Sequence, residues 1–496
     1  MNTSLKKSEN SEFINAYFKL NTWLNYMSLG LITQTTHSLN NLLFFLLYIF
    51  FLYIMSLEVE DYSVYYPLLV ASGLSFIGYK ITSAIIPKVK QSFIKIGLFG
   101  KDLSKVGKPV IPETIGVIPS IILVLLLFIN IPLLFIKNQE TSILFPHSKF
   151  SEFLSSILCL ESILILGLLD DLFDLKWRHK FFLPMFACIP VLVVYYVDYG
   201  ITTIMVPPFL QNENLIKLIP FIGSTYQNGT IDLKIFYYFY MGCIAIFCPN
   251  SINIFAGVNG LEVGQILVLS SIFLINDALY LFTSDLQTTK HAHIFSSTLI
   301  IQLFGCSLAL YKYNKFPAQV FVGDTFCYFA GMVFGVCGIL GHFSKTVLLF
   351  FIPQIFNFAY SMPQLFGLVP CPRHRMPKFN EKDGLLYTSR AILDGKTPYD
   401  RENKVKKVKP LVIVVLKLLS KVNLIDLEYD KKTGELLTCS NMTLINLVLV
   451  WSGPLREDKL CQRLLLLQFA IGICAIVLRH LGGALIYGHD NLFKVY

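Results

Sequence analysis

Residues 153–196 read FLSSILCLESILILGLLDDLFDLKWRHKFFLPMFACIPVLVVYY. Two apolar runs, Phe153–Leu169 and Phe181–Tyr196, enclose a burst of charge, LLDDLFDLKWRHK at 168–180. A helix of about 20 apolar residues crosses the roughly 30 Å hydrocarbon core of a bilayer, so abrupt charge between two such runs marks a membrane–water boundary. Asp170 and Asp171 are thereby presented at a surface beside Lys176, Arg178, His179 and Lys180. Two carboxylates at the C-terminal end of a helix oppose its macrodipole, which favours cations there, so a purely structural reason for the pair is not expected. Carboxylates hold metal ions and bases hold phosphate.

Runs of the same kind recur: Tyr66–Ile86, Gly116–Ile136, Ile235–Phe247, Val263–Phe282, Ile294–Leu310, Phe326–Ile339, Val347–Leu368 and Leu464–Ile486. With the first two they make about ten candidate spans. Of the 496 residues 54% are hydrophobic and 15% charged, and mean hydropathy is +0.60. Backbone groups in lipid must be satisfied internally, and strand alternation is absent, so the fold expected is an all-α polytopic membrane protein. Leu42–Met55, an apolar run of 14, is short for a span and reads as an extra span at the N-terminus, a signal-anchor or an interfacial helix. The 11 cysteines show no CxxC pair or zinc-ligand spacing and mostly fall inside apolar runs, so neither a disulfide framework nor a zinc site is expected.

Four regions follow: an N-terminal extension (1–64), a transmembrane catalytic core (65–371), a small α+β insertion (372–460) and a last helix with its tail (461–496). In the insertion, Leu385–Ser389 and Glu435–Cys439 read as strands and Leu411–Val422 as an amphipathic helix. Bases concentrate in alternate loops, namely Lys88–Lys108, Lys176–Lys180 and Arg373–Lys409, which assigns these loops to the cytosol. The sequon Asn228-Gly-Thr lies in a base-poor loop, in keeping with a lumenal side.

The polar clusters fall on that one cytosolic face. Lys101-Asp102-Leu-Ser-Lys105 leads to Pro112-Glu113-Thr-Ile-Gly116; Asp170-Asp171 precedes the Lys-Trp-Arg-His-Lys run; CPNSINIFAGVNGLEVGQ carries Asn250, Asn253 and Asn259. Asn250 and Asn253 share a helix face by their spacing, and Gly257 and Gly260 allow a ligand close to the backbone. Gly323-Asp324-Thr325 reads both as a helix N-cap and as a hard-oxygen site for Mg²⁺. Pro370-Cys-Pro-Arg373-His374-Arg375 displays guanidiniums suited to phosphate and sugar oxygens. Mg²⁺ takes one or two protein ligands and fills its shell with substrate phosphates. Amides and carboxylates for one metal, with bases for several phosphates, suit phosphoryl transfer from a nucleotide-activated donor to a lipid. A transporter would place polar groups near the midplane; here the charged clusters lie at span ends, with Lys80, Glu161 and Asp277 as exceptions inside spans.

The motifs FIKIGLFGKDLSK, IPETIGVIP, LLDDLFDLKWRHKFFLP, SINIFAGVNGLEVGQ, VFVGDTFCYFAGM, GILGHFSKT, PCPRHR and CSNMTLINLVL closely resemble the eukaryotic UDP-N-acetylglucosamine–dolichyl-phosphate N-acetylglucosaminephosphotransferases, with a fungal-like cast. These belong to the polyprenyl-phosphate sugar-1-phosphate transferases. The resemblance covers about residue 65 to the C-terminus, and KWRHK and PCPRHR favour this branch over bacterial muropeptide transferases. It implies transfer of N-acetylglucosamine 1-phosphate from UDP-GlcNAc to dolichyl phosphate, with UMP released and Mg²⁺ as cofactor, at the cytosolic face of the endoplasmic reticulum membrane. Residue by residue it implies Asn253 and Asp324 as metal ligands, Lys180 and Arg373 on the diphosphate, and His374 and Arg375 on the sugar. Glu113, Gly257, Asn259 and Phe321 are implied on the uridine side, and Asp170, Asp171 and Lys180 as the catalytic group. Asp174 stands where many animal members have Asn. Tunicamycin sensitivity, a homodimer and association with later glycosyltransferases of the pathway are also implied; no nucleic-acid partner is expected. A phosphate monoester has a second pKa near 6 and is already largely an anion at neutral pH, so a strong general base is unnecessary. Asp170 and Asp171 are therefore expected to orient Lys180 and the acceptor phosphate, or to tune the metal, rather than to abstract a proton.

Overall fold

In hydrocarbon a segment must bond its own backbone, and the apolar runs accordingly form helices. The computed structural model describes residues 62–135, 147–173, 175–176, 180–211, 226–227, 229–284, 286–372, 375–393, 408–430 and 434–488. In chain order its helices are α1 (Tyr62–Lys95), α2 (Val117–Phe135), α3 (His147–Phe173), α4 (Leu183–Ala187), α5 (Ile189–Asp198), α6 (Ile235–Ile254), α7 (Leu261–Thr283), α8 (Gln287–Asn314), α9 (Asp324–Leu340), α10 (Ser344–Phe350), α11 (Ile352–Leu365), α12 (Pro410–Lys421), α13 (Leu444–Ser452) and α14 (Glu457–Tyr487). Among the described residues seven helices are long and apolar enough to cross a membrane, and the pair α10–α11, bent by 67°, makes an eighth.

Every one of the ten expected spans falls on a helix or a helix pair, and two differ in form. Phe181–Tyr196 is α4 followed by α5, broken at Cys188, with Pro184 and Pro190 in the first turns of the two pieces. Val347–Leu368 is the bent pair, with Pro353 opening its second half. Helix α9 has only 17 residues, yet every residue from Thr325 to Leu340 is buried. A helix apolar all round is a core helix, and α9 is the axis about which the bundle packs, chiefly against α3 and α6. Close approach is built in: a Cβ on Gly167 of α3 would lie 2.7 Å from Thr325 Cα, and one on Gly331 would meet the backbone of Pro249 in α6.

The strands are short and antiparallel. At the basic end of the bundle β1 (Phe99–Lys101) pairs with β2 (Val110–Pro112). Between α5 and α6, β5 (Thr230–Asp232) lies between β3 (Thr203–Met205) and β4 (Tyr226–Gln227). The insertion between α11 and α14 holds the hairpin β6 (Lys378–Asn380)–β7 (Leu385–Tyr387) and a sheet in which β10 (Leu436–Ser440) lies between β8 (Arg390–Ile392) and β9 (Leu427–Tyr429). The two strands and the helix expected there therefore coincide with β7, β10 and α12. Asp277, the acidic residue expected inside a span, is buried in α7 and paired with His293 Nδ1 at 2.7 Å and Ser297 Oγ at 3.2 Å in α8. Leu42–Met55, Asp174, Arg178, His179, Asn228, Arg373, His374 and Lys396–Lys407 lie outside the described residues.

Candidate active site

The site forms where the N-terminus of α9 reaches the basic end of the bundle. Residues 320–323 run alongside 112–116: Phe321 N–H donates to Pro112 O at 2.8 Å and Gly116 N–H to Val322 O at 2.8 Å. Gly323 then turns the chain with φ +83°, and a Cβ there would lie 2.7 Å from Thr114 Cα and 2.8 Å from Asp171 Oδ2, so only glycine fits. Gly-Asp-Thr does not cap α9 with its own side chain. The cap comes from α3: Asp171 accepts from Asp324 N–H (2.8 Å), Thr325 N–H (3.1 Å) and Thr325 Oγ1 (2.5 Å). This corrects the expectation that the aspartate pair has no structural reason. Asp171 ends α3 against its dipole, but the same carboxylate neutralises the positive end of α9.

Asp170 has a different task. Its Oδ1 accepts Leu175 N–H at 3.2 Å and its Oδ2 accepts Lys180 Nζ at 3.0 Å. Lys180 Nζ reaches Asp324 Oδ2, also at 3.0 Å. The lysine thus bridges a buried carboxylate and one that is 32% exposed. Burial works against its charge, but Asp324, Tyr328 and the hydrogen bonds to both aspartates hold the ammonium above its ordinary range. Lys180 is a fixed cation here. Tyr328, one turn along α9 from Asp324, is hydrogen-bonded to Asn253, the half-buried penultimate residue of α6. Asn253 and Asp324, 71 positions apart, are thereby joined through one residue. Asn250, three residues earlier on the same helix, serves the fold: its Nδ2 donates to Ile246 O (2.8 Å) and Phe181 O (3.2 Å).

On the far side of Asp324 stand Glu113 and Phe321. A Cβ on Gly100 in β1 would lie 3.0 Å from the Phe321 ring and 3.3 Å from Glu113 Oε2, so the hairpin backbone is the floor under both. Burial, then the charges of Asp171 and Asp324, push the Glu113 carboxyl above its ordinary range. The loop Gly257–Gly260 is held by two carboxylates: Glu262 accepts Gly257 N–H, and Glu457 accepts Asn259 N–H at 2.8 Å. Asn259 Oδ1 in turn accepts Ala318 N–H at 3.0 Å. Glu457, 3% exposed, also holds Lys105, which lies 3.4 Å from Asp102 and 4.4 Å from the centre of the Phe316 ring.

A profile described as Glycosyl transferase family 4 matches residues 153–342, the stretch from α3 to the end of α9. The UDP-N-acetylglucosamine–dolichyl-phosphate N-acetylglucosaminephosphotransferase of Saccharomyces cerevisiae is 56% identical over 447 residues, 86% of this chain and 94% of the relative. The protein of the same name from Schizosaccharomyces pombe is 47% identical over 86% of this chain and 95% of its own length. That from Dictyostelium discoideum is 37% identical over 83% and 88%. The chain belongs to the UDP-N-acetylglucosamine–dolichyl-phosphate N-acetylglucosaminephosphotransferase family.

Of the residues expected from the sequence motifs, the fold gathers Asp170, Asp171, Lys180, Asn253 and Asp324 about the start of α9, with Glu113 and Phe321 beside them. Gly257 and Asn259 form the loop pinned to Glu262 and Glu457. Arg375 belongs to the insertion and precedes Met376, whose side chain fills the place a Cβ on Gly257 would take. The Arg375 backbone oxygen accepts Ser389 Oγ (2.9 Å) and Asn446 Nδ2 (2.8 Å), while a buried guanidinium nitrogen has no protein partner among the described residues. A buried donor without a partner favours an oxygen-bearing ligand.

Sequence reasoning missed Glu457, Glu262 and Tyr328. The two glutamates open helices, where acids are common for dipole reasons alone, so nothing local distinguishes them. It also missed an apolar cavity of about 250 Å³ that begins at Phe181, next to Lys180, and follows α6 from Ile254 back to Phe239. From Phe239 to Ile254 the helix rises roughly 22 Å.

Proposed function

We propose that this chain transfers N-acetylglucosamine 1-phosphate from UDP-N-acetylglucosamine to dolichyl phosphate, giving GlcNAc-diphosphodolichol and UMP, the first step of dolichol-linked oligosaccharide synthesis. The observation that carries the reading is Lys180: a fixed cation between Asp170 and Asp324 that directly precedes Phe181, a residue lining a long apolar groove. A lipid phosphate needs a cation at its head and a greasy channel for its tail, and both start at adjacent residues.

An oxygen of the acceptor phosphate attacks the β-phosphorus, an O–P bond forms, and the bond from that phosphorus to the bridging oxygen breaks with its electron pair leaving on UMP. No proton need move, because the acceptor is already an anion near neutral pH. Both oxygens of Asp170 are engaged, one by Leu175 N–H and one by Lys180. Asp170 therefore aims the lysine, and Lys180, on the diphosphate, offsets its repulsion of the incoming acceptor phosphate. Catalysis of this kind rests on positioning and charge stabilisation.

The donor set fits Mg²⁺. Asp324 commits one oxygen to Lys180 and is partly exposed, Asn253 offers an amide, and the elevated Glu113 reports crowding of negative charge around Asp324. Among the described residues no three His, Cys, Asp or Glu side chains converge as a metal site, so the set is the sparse one that this ion completes with phosphates and water. Bound Mg²⁺ supplies charge neutralisation on the diphosphate. Glu113, Phe321 and the Gly257–Asn259 loop hold the uridine side, and Arg375 with Arg373 and His374 holds the sugar diphosphate. The concentration of bases in the loops at this end supports a cytosol-facing site in the endoplasmic reticulum membrane. A homodimer and sensitivity to tunicamycin belong to the same reading. The test is direct: purified protein, UDP-GlcNAc, dolichyl phosphate and Mg²⁺ should release UMP together with a lipid-linked sugar. Movement of lipid or solute across a bilayer with no UMP would overturn the reading in favour of a transporter.

A further inference from the structure

Helix α12, PLVIVVLKLLSK, buries one face and exposes another that is equally apolar. Leu416 and Leu419 pack in the insertion's own core with Val369, Ala391 and Cys439. Leu411 is 76% exposed, and Val414, Val415, Leu418 and Val422 are exposed with it. At 100° per residue these positions form one stripe about 100° wide. Lys417 and Lys421 flank that stripe on the side away from the core, and exposed Lys409 precedes the helix. An apolar stripe edged with lysine is the pattern of a helix lying in the plane of a membrane interface.

The bonds to α11 tie the chain on either side of this helix's sheet to an apolar, membrane-class segment. Tyr360 donates its hydroxyl to Leu424 O, just beyond the end of α12. Ser361 Oγ donates to Met442 O at 2.7 Å, and Leu444 N–H to Asn357 Oδ1 at 2.8 Å. Tyr360 lies about five residues, roughly 7 Å, and Asn357 roughly 12 Å, inward of the C-terminal end of α11 at Leu365. Met362, Leu365, Phe366 and Leu368, farther out along the same segment, are exposed and apolar, so lipid extends past the level of Tyr360. Trp451 is 52% exposed and donates Nε1–H to Asn423 O at 2.9 Å, beside Val422. Trp is the side chain favoured at headgroup level, apolar in body and polar at one edge.

We propose that α12 is an interfacial helix that binds phospholipid, with Leu411, Val414, Val415, Leu418 and Val422 in the acyl boundary and Lys409, Lys417 and Lys421 among the headgroup phosphates. The insertion thus rests on the bilayer as well as on the bundle. Through Val369 in the shared core and the bonds to Arg375 O, the membrane surface fixes the height of Arg375.

A photoreactive diazirine amino acid at Val414 of the full-length protein tests this, with the same residue at exposed Lys382 as control. After illumination in native microsomes and in vesicles of phosphatidylcholine with phosphatidylinositol, peptide mass spectrometry should find a phospholipid adduct at 414 and none at 382. A protein adduct at 414, whether a second copy or another chain, or water addition alone, would overturn the proposal. The Lys417→Glu, Lys421→Glu double variant should lower the adduct yield in vesicles containing phosphatidylinositol and leave it unchanged in pure phosphatidylcholine. Equal yields in both would remove the headgroup part of the proposal.

Discussion

Asp171 and Asp170 are adjacent in sequence, and substituting them should fail in different ways. Asp171 gives one carboxylate to three donors, Asp324 N–H, Thr325 N–H and Thr325 Oγ1. A hydrogen bond to a charged group contributes about 1.5–3 kcal/mol, and loss of a helix cap costs about 1 kcal/mol. Asp171→Asn keeps the shape and one acceptor oxygen but removes the charge and strands at least one donor. A cost of about 2 kcal/mol at the first turn of α9 is expected, with about 3 kcal/mol for Asp171→Ala. First-turn amides ordinarily lack partners, so their protection here depends on Asp171. Hydrogen exchange of a peptide covering 322–328 should accelerate about thirtyfold in Asp171→Asn, at 1.36 kcal/mol per tenfold. Activity should fall alongside, because Asp324 is carried on that turn. Asp170→Asn should leave this exchange unchanged and lower kcat about 10–100-fold, since Lys180 loses one of its two carboxylates. If Asp171→Asn lost activity with exchange at 322–328 unaltered, the capping argument would be wrong and Asp171 would belong to the chemistry.

Other consequences can be read with simpler assays. Asp324→Ala should abolish activity and remove the Mg²⁺ dependence of UDP-GlcNAc binding in calorimetry, with expression intact; Mg²⁺-dependent binding that survives would exclude the ligand role. Cys243→Trp fills the groove beside Phe239 and Phe247, so KM for dolichyl phosphate should rise about tenfold or more, as expected for loss of more than 1.4 kcal/mol of binding, with KM for UDP-GlcNAc unchanged. Glu457→Gln should do the reverse, raising KM for the nucleotide sugar through a loosened Gly257–Asn259 loop, and Lys105→Met should reproduce it because the two share one contact. Lys180 is held above its ordinary range, so its charge and the stability it contributes are fully present below the unfolded lysine pKa of about 10.4 and are lost only as pH rises through the folded value; kcat/KM should show no lysine titration up to about pH 9.5.

The apolar runs make the helices legible from the residues alone, because in a bilayer length and hydropathy are nearly the whole requirement. Where the runs mislead in form, at Phe181–Tyr196 and Val347–Leu368, the prolines that break them stand in plain view. Less is legible at the site. The polar clusters can be assigned to one face by their loops, but their division of labour depends on which helix ends meet. Nothing near Asp171 reveals that α9 begins beside it. The decisive feature is Gly167, whose missing side chain lets Thr325 approach, and glycine in an apolar run has too many other reasons to stand out.

The same physics explains why Glu457 is invisible to a reading of spacing. It is 352 residues from Lys105 and 198 from Asn259, so no spacing rule links them. Its burial, though, has a definite meaning. A carboxylate brought to 3% exposure at a membrane surface is stable only with charged or amide partners, and the two it has belong to the first basic loop and to the Gly257–Gly260 loop. Asp171 makes the parallel link between α3 and α9, and Asn259 between its loop and Ala318. Each segment at this end is therefore held by a buried polar group from a distant one. Helices packed only by apolar contact in lipid have little to fix their ends, because lipid tails are as apolar as leucine. Charged and amide cross-links at the ends supply the missing register, which is why the residues that define the site geometry cluster at span termini and come from almost the entire length of the chain.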